Sequence, residues 1–156
     1  MARRRRAERR DTPPDPRFGS PELARFINRV MQRGKQTLAQ RLVYTALDSC
    51  EKELKRTPLE VFHQVVKNVT PLLEVKPRRV GGATYQVPID VRPERGEAMA
   101  QRWLIASARA RSGMSMTQKL SAEFIEAYRG QGSAVKKRED LHKMAEANRA
   151  FVHYRW

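Results

Sequence analysis

A single cysteine, Cys50, stands among the 156 residues, which excludes an internal disulfide and a cysteine-rich zinc site. Its place in an apolar helical stripe predicts a packed thiol. Histidine is nearly as scarce. His63, His142 and His153 are the whole set, and no Ser-His-Asp, Cys-His or two-histidine metal spacing emerges from them. His142 and Glu146 share one helical face, but no third metal ligand is evident. Gly34-Lys35-Gln36 looks like the end of a P-loop, yet Gln36 replaces the required Ser or Thr and Arg29 stands at the upstream glycine position. Asp90, Glu94 and Glu97 lie near one another but among arginines, a poor setting for a metal-dependent nuclease. Neither an enzyme nor a cofactor is expected. Long apolar runs are missing too: none approaches the ~18 residues of a transmembrane helix. Met1-Ala2-Arg3-Arg4-Arg5-Arg6 leads to Asp11 and a proline cluster instead of an apolar signal segment, so a cytosolic protein without a membrane partner is expected.

Acidic residues are in short supply. Seventeen Asp and Glu face 32 Lys and Arg, a formal charge of +15. Such an excess makes a chain repel itself, and arginine's planar fork donates two parallel hydrogen bonds to phosphate. A polyanion, and foremost a nucleic acid, is the expected partner.

The chain reads as one domain with 40% apolar residues and no internal repeat. Residues 1–19 hold six arginines in the first ten positions, followed by Asp11-Thr12-Pro13-Pro14-Asp15-Pro16, and form a basic N-terminal arm outside the core. Residues 20–156 form a helical domain. Ser20-Pro21 starts a helix with Leu23, Phe26, Ile27, Val30 and Met31 at helical spacing, stopped by Arg33-Gly34. Leu38, Leu42, Ala46, Leu47, Cys50 and Leu54 make the stripe of a second helix over 36–55. Thr57-Pro58-Leu59-Glu60 opens a third with a capping box, continuing through Phe62, Val65, Val66 and Val69. Arg92-Pro93-Glu94 opens a fourth, buried along Met99, Trp103, Leu104 and Ala108, with Arg95, Arg102 and Arg109 nearly stacked on its other side. Ser115 or Thr117 caps a fifth, containing Leu120, Phe124, Ile125 and Tyr128. A sixth runs from about Ser133 to Val152 with Leu141, Met144, Ala145 and Asn148 on one face. Lys136, Lys137 and Arg138 in its first turn oppose the helix dipole by ~0.3–1 kcal/mol each, a conflict that an anion would relieve.

Between the third and fourth helices, over roughly 72–91, periodicity switches to two. Tyr85, Val87, Ile89 and Val91 fall on one face, Thr84, Gln86, Pro88 and Asp90 on the other, and Leu73 and Val75 alternate with Glu74 and Lys76. Gly81-Gly82 supplies the positive φ of a tight turn, which Ala83 extends if the loop has three residues. Pro77 and Pro88 forbid a central strand, so the reading is a two-stranded ribbon with both strands at edges, supported by helices or a ligand. Phe26, Phe62, Trp103 and Phe124 lie on apolar stripes and read as core. Tyr85, Tyr154 and Trp156 sit beside arginine or at the chain end, where stacking on an unpaired base contributes ~1–3 kcal/mol, although packing is the leading role for Tyr85. Basic groups spread over an arm, a ribbon and several helix ends suit a folded RNA better than one duplex groove. A DNA-binding architectural protein is the alternative.

Several segments together closely resemble the bacterial small-subunit ribosomal protein seven family: Met1 to Arg6; Phe26-Ile27-Asn28 with Gly34-Lys35; Arg78 to Ala83 with Tyr85-Gln86-Val87-Pro88; Arg102-Trp103-Leu104; Gly132 to Asp140; Met144 to Phe151; and His153-Tyr154-Arg155-Trp156. The resemblance spans essentially the whole chain. It implies a mainly α fold of about six helices with a protruding two-stranded β-ribbon between the third and fourth, matching the periodicity. It also implies binding to the 3′ major domain of small-subunit rRNA, seeding of head assembly, and a place near exit-site tRNA, mRNA and neighbouring small-subunit ribosomal proteins of the head and platform. Carried onto this chain, Arg3, Arg4, Arg5, Arg6, Arg9, Arg10, Lys35, Lys76, Arg78, Arg79, Arg95, Arg102, Lys136, Lys137 and Arg138 contact rRNA. Val80, Gly81, Gly82, Ala83 and Tyr85, with Tyr154, Arg155 and Trp156, lie near tRNA. Two positions depart from the family pattern. Gln36 replaces a Lys or Arg, removing a phosphate contact, and Pro77 replaces a frequent Ser, so an irregular strand pair is expected there.

Overall fold

The computed structural model describes residues 11–154. The arm arginines Arg3, Arg4, Arg5, Arg6, Arg9 and Arg10, together with Arg155 and Trp156, lie outside the described residues. Helices α1 (Pro21–Val30), α2 (Gln36–Leu54) and α3 (Pro58–Val69) precede strands β1 (Leu73–Val80) and β2 (Ala83–Asp90). Helices α4 (Pro93–Ala110), α5 (Met116–Tyr128) and α6 (Ser133–Ala147) follow, and a short 3₁₀ helix covers Arg149–Tyr154. The fold is a helical domain with a ribbon between its third and fourth helices, as the periodicity predicts.

Local chemistry accounts for the helix boundaries. Ser20 caps α1 through its hydroxyl, which accepts from the Leu23 N–H at 3.3 Å, and Pro21 stands in the first turn, where no N–H is needed. Thr57 and Glu60 close a reciprocal capping box on α3, and Ser115 with Gln118 closes another on α5. Packing then joins the helices. α5 lies against α2, α3 and α4, and three fully buried rings meet at the centre. Phe26 and Phe62 are 5.5 Å apart, edge to face, and Phe124 is 5.6 Å from Phe26. Buried rings of this size contribute much of a small core's apolar energy, with ~0.5–1.5 kcal/mol more per favourable pair. Cys50 is fully buried and burial pushes its thiol up to about 12, so it packs as a small hydrophobe.

The ribbon pairs without interruption from Leu73 opposite Asp90 to Val80 opposite Ala83. Gly81 and Gly82, at φ +57° and +89°, form a two-residue turn, so Ala83 belongs to the strand. Pro77 sits in register opposite Gln86, correcting the irregular pair expected there. A proline on an edge strand can turn its N–H-less side outward, which leaves the ladder intact. The ribbon's root is tied to the helices. Gly96 on α4 lies so close to the α3–β1 connection that a Cβ would meet Thr70 Cγ2 at 2.9 Å and the Pro71 carbonyl oxygen at 3.3 Å. From α6, His142 Nε2 accepts from the Leu72 N–H at 3.1 Å.

Four further details differ from the sequence reading. On α2 the buried line is Ala39, Val43, Ala46, Leu47 and Cys50, while Leu38 is 49% exposed. α6 ends at Ala147 rather than near Val152, because Asn148 caps it and the chain tightens into the 3₁₀ turn, leaving Met144 exposed. Glu74, expected on the polar side of β1, is buried against Arg95 of α4. Finally, residues 15–18, read as arm, pack on the body. Buried Asp15 accepts from the Arg17 and Phe18 N–H groups and from the Tyr44 hydroxyl, while Phe18 meets the Tyr44 ring at 5.9 Å.

Candidate nucleic-acid interface

Three exposed cationic places project from different parts of the body. The outer ribbon presents Lys76, Arg78 and Arg79; the α1–α2 turn presents Arg33 and Lys35; the first turn of α6 presents Lys136 and Lys137. The turn is shaped by left-handed backbone at Arg33 (φ +52°) and Gly34 (φ +73°), unusual for a bulky residue such as arginine.

A fourth concentration joins two helices. Arg29 of α1 and Arg102 and Arg109 of α4 border one shallow depression. Burial first, then the charges of Arg102 and Arg25, push the Arg29 guanidinium below the ordinary arginine range, with Glu97 opposing. Arg29 hydrogen-bonds to Gln101, itself buried. Sequence reasoning found Arg102 but missed Arg25 and Arg29. Their signal is a four-residue spacing on the side of α1 away from Leu23 and Phe26, but only the packing of α1 on α4 brings them to Arg102.

Other sequence-selected groups are engaged within the protein. Arg95 Nε donates to Glu74 Oε2 at 2.7 Å, and Lys76 Nζ lies 3.6 Å from Glu74 Oε1. Arg102 Nε donates to the Ala98 carbonyl and Arg109 Nη2 to the Val30 carbonyl. Arg138 donates through Nη1 to the Asn68 carbonyl, while its buried Nε lacks a partner. The helix-dipole conflict of α6 is relieved from inside. Glu123, fully buried on α5, accepts the Ala134 N–H through Oε1 at 2.9 Å and Arg111 Nε through Oε2 at 3.0 Å. Arg111 also pairs with Glu126, and these hydrogen bonds hold its guanidinium firmly protonated. One anion at that helix start is therefore a side chain of the protein, while Lys136 and Lys137 stay exposed.

The aromatic residues divide. Tyr85 packs on Phe151 at 5.1 Å and stacks on Tyr154 at 5.3 Å, so the 3₁₀ helix braces the ribbon. Each of those tyrosines finds its ring partner within the chain. No group of three or more His, Cys, Asp or Glu side chains suited to a metal ion occurs among the described residues.

A helical body with cations on several faces, Arg29 among them crowded by Arg102 and Arg25, has the charge distribution of a protein that lies against a polyanion. The family model for Ribosomal protein S7p/S5e matches residues 2–149, and the chain belongs to that family. It is thus a small-subunit ribosomal constituent of the cytoplasmic ribosome and associates with rRNA as a structural protein, not an enzyme. Among its relatives, the small ribosomal subunit protein uS7 of Thermomicrobium roseum is 59% identical over 156 residues, covering 100% of both chains. The proteins of the same name from Thermotoga maritima and Chelativorans sp. are 58% identical over 154 residues, 99% of each chain, and 56% identical over 156 residues, 100% of each.

Proposed function

We propose that the protein binds the 3′ major domain of small-subunit rRNA and seeds folding of the subunit head, with its ribbon tip, Val80 to Ala83, directed toward exit-site tRNA and mRNA. Neighbouring ribosomal proteins of the head and platform complete its surroundings. The observation that carries this reading is the convergence of Arg25, Arg29 and Arg102 on adjoining helices. Like charges so close raise the free energy of the isolated fold, and a phosphate backbone would remove that cost. The separate positions of Arg78, Lys35 and Lys136 favour an RNA with several backbones over a single straight duplex. The outer ribbon cations and the arm supply further phosphate contacts.

Competition binding at fixed salt tests the reading, because charge alone gives non-specific affinity and only the ratio reports recognition. The full chain should prefer a 3′-domain rRNA fragment to random duplex DNA by a factor of about 10³ or more. Equal affinity for both would overturn it. Removing residues 1–10 should weaken rRNA binding and flatten its salt dependence while the helical circular dichroism signal persists.

A further inference from the structure

A cleft of about 530 Å³ opens where the α1–α2 turn, the start of α2, the end of α4 and the start of α5 meet. Its lining combines the apolar side chains of Met31, Leu38, Leu42 and Met116 with the cations Arg33 and Lys35 from the turn and Arg109 and Lys119 from the far helices. Among the described residues no carboxylate lines it. We propose that this cleft receives one unpaired nucleotide of the bound RNA, its base on the apolar side chains and its flanking phosphates on the cations; this rests on the rRNA reading above.

Four features favour that occupant. The size falls within the roughly 300–1,000 Å³ of small organic ligand sites, which suits a nucleotide and is short for a docked helix. A nucleotide within a strand has a phosphate on either side of its base, and the cations of the cleft likewise come from separate elements. Arg109 is held in place by its bond to the Val30 carbonyl at 3.2 Å. The first turn of α2 has no acidic residue and no side-chain cap, so its own side chains leave the positive helix end beside Lys35 unneutralised. Leu38 is the informative residue. It is large and apolar, yet 49% exposed on a helix that buries the smaller Ala39 beside it. A base covering it gains apolar contact without hydrogen-bond readout.

The test uses the full chain, a 3′-domain rRNA fragment, a salt series and base-specific chemical probing. Leu38→Gln should weaken binding about tenfold without changing the slope of log affinity against log salt. One unpaired base protected by the wild type should become reactive. Lys119→Gln should instead lower the slope by about 0.7. Circular dichroism should show both variants folded, as expected for surface changes. If Leu38→Gln binds like the wild type and no base changes reactivity, the cleft proposal is overturned, provided the wild type still prefers the fragment to duplex DNA. Loss of that preference would sink the rRNA reading itself. If Leu38→Gln keeps its RNA affinity but fails to recruit a neighbouring protein with an acidic segment, the occupant is a peptide and the nucleotide proposal is also overturned.

Discussion

Replacing Glu123 with glutamine preserves the side chain's shape while deleting the charge that joins α4, α5 and α6. The carboxylate is 0% exposed and accepts from both Arg111 and the Ala134 N–H in the first turn of α6. Stranding one member of a buried pair costs about 3–5 kcal/mol. Arg111, however, is 22% exposed and keeps Glu126, so its charge is not fully abandoned, and about 2–3 kcal/mol is the appropriate loss. That is a large share of the ~5–15 kcal/mol stability of an ordinary domain. For a chain of this length it corresponds to a midpoint about 5–10 °C lower. Thermal and urea unfolding followed by far-UV circular dichroism would measure it. Glu126→Gln provides the internal comparison: that side chain is 42% exposed, and its loss should cost about 1 kcal/mol or less. The two variants bind Arg111 through the same kind of bond and differ mainly in burial and the α6 contact. Equal costs, or less than about 1 kcal/mol for Glu123→Gln, would refute the assignment of Glu123 as the buried anchor of α6.

Three other perturbations probe the ribbon. Burial, with Arg138 assisting, lowers the His142 pKa below its ordinary 6.5, and only the neutral ring accepts the Leu72 N–H. The resulting stability is fully present above pH 6.5 and is lost as pH falls through the lowered folded value. Urea unfolding across that window should therefore show a slope that His142→Gln removes; identical profiles would contradict it. Gly82→Val places a branched side chain at φ +89° and should destabilise the turn by about 1–3 kcal/mol, loosening tip amides in hydrogen exchange while helical protection stays. Tyr85→Ala deletes two ring contacts worth about 1–3 kcal/mol together; faster proteolysis after Ala147 is the expected sign, and an unchanged rate would count against the brace.

Helix starts were legible because their signals are local: Ser20-Pro21 and Thr57 with Glu60 act within one turn, and of the two candidates for α5 it is Ser115 that caps, through Gln118. The ribbon was legible for a related reason, since strand period and a Gly-Gly turn are short-range patterns. The choice of face on α2 was harder. Leu38 and Ala39 are neighbours on a helix, and selecting the larger residue put Leu38 inside, whereas the packing buries Ala39 and Val43. The cationic site was only partly legible for a different reason. A count of arginines reveals a polyanion surface, but not which cations are already neutralised. Glu74 lies 21 residues from Arg95 and Glu123 lies 12 from Arg111, separations at which sequence pattern carries no pairing information. The crowding of Arg29 by Arg102 likewise exists only after α1 has packed on α4.

The contact of Tyr85 with the C-terminal 3₁₀ helix changes the mechanics of the ribbon. Without that brace, the four pairs beyond buried Val87, from Pro77–Gln86 to Val80–Ala83, would extend free together with the turn, a cantilever of roughly 17 Å. Tyr85 pairs with Arg78, so support there leaves only the pairs Arg79–Thr84 and Val80–Ala83 and the Gly81-Gly82 turn beyond it, about 10 Å of free length. The sideways deflection of a uniform beam grows with the cube of its free length. Shortening it from ~17 to ~10 Å therefore stiffens the tip about fivefold, making the 3₁₀ helix Arg149–Tyr154 a strut for a turn encoded some seventy positions earlier.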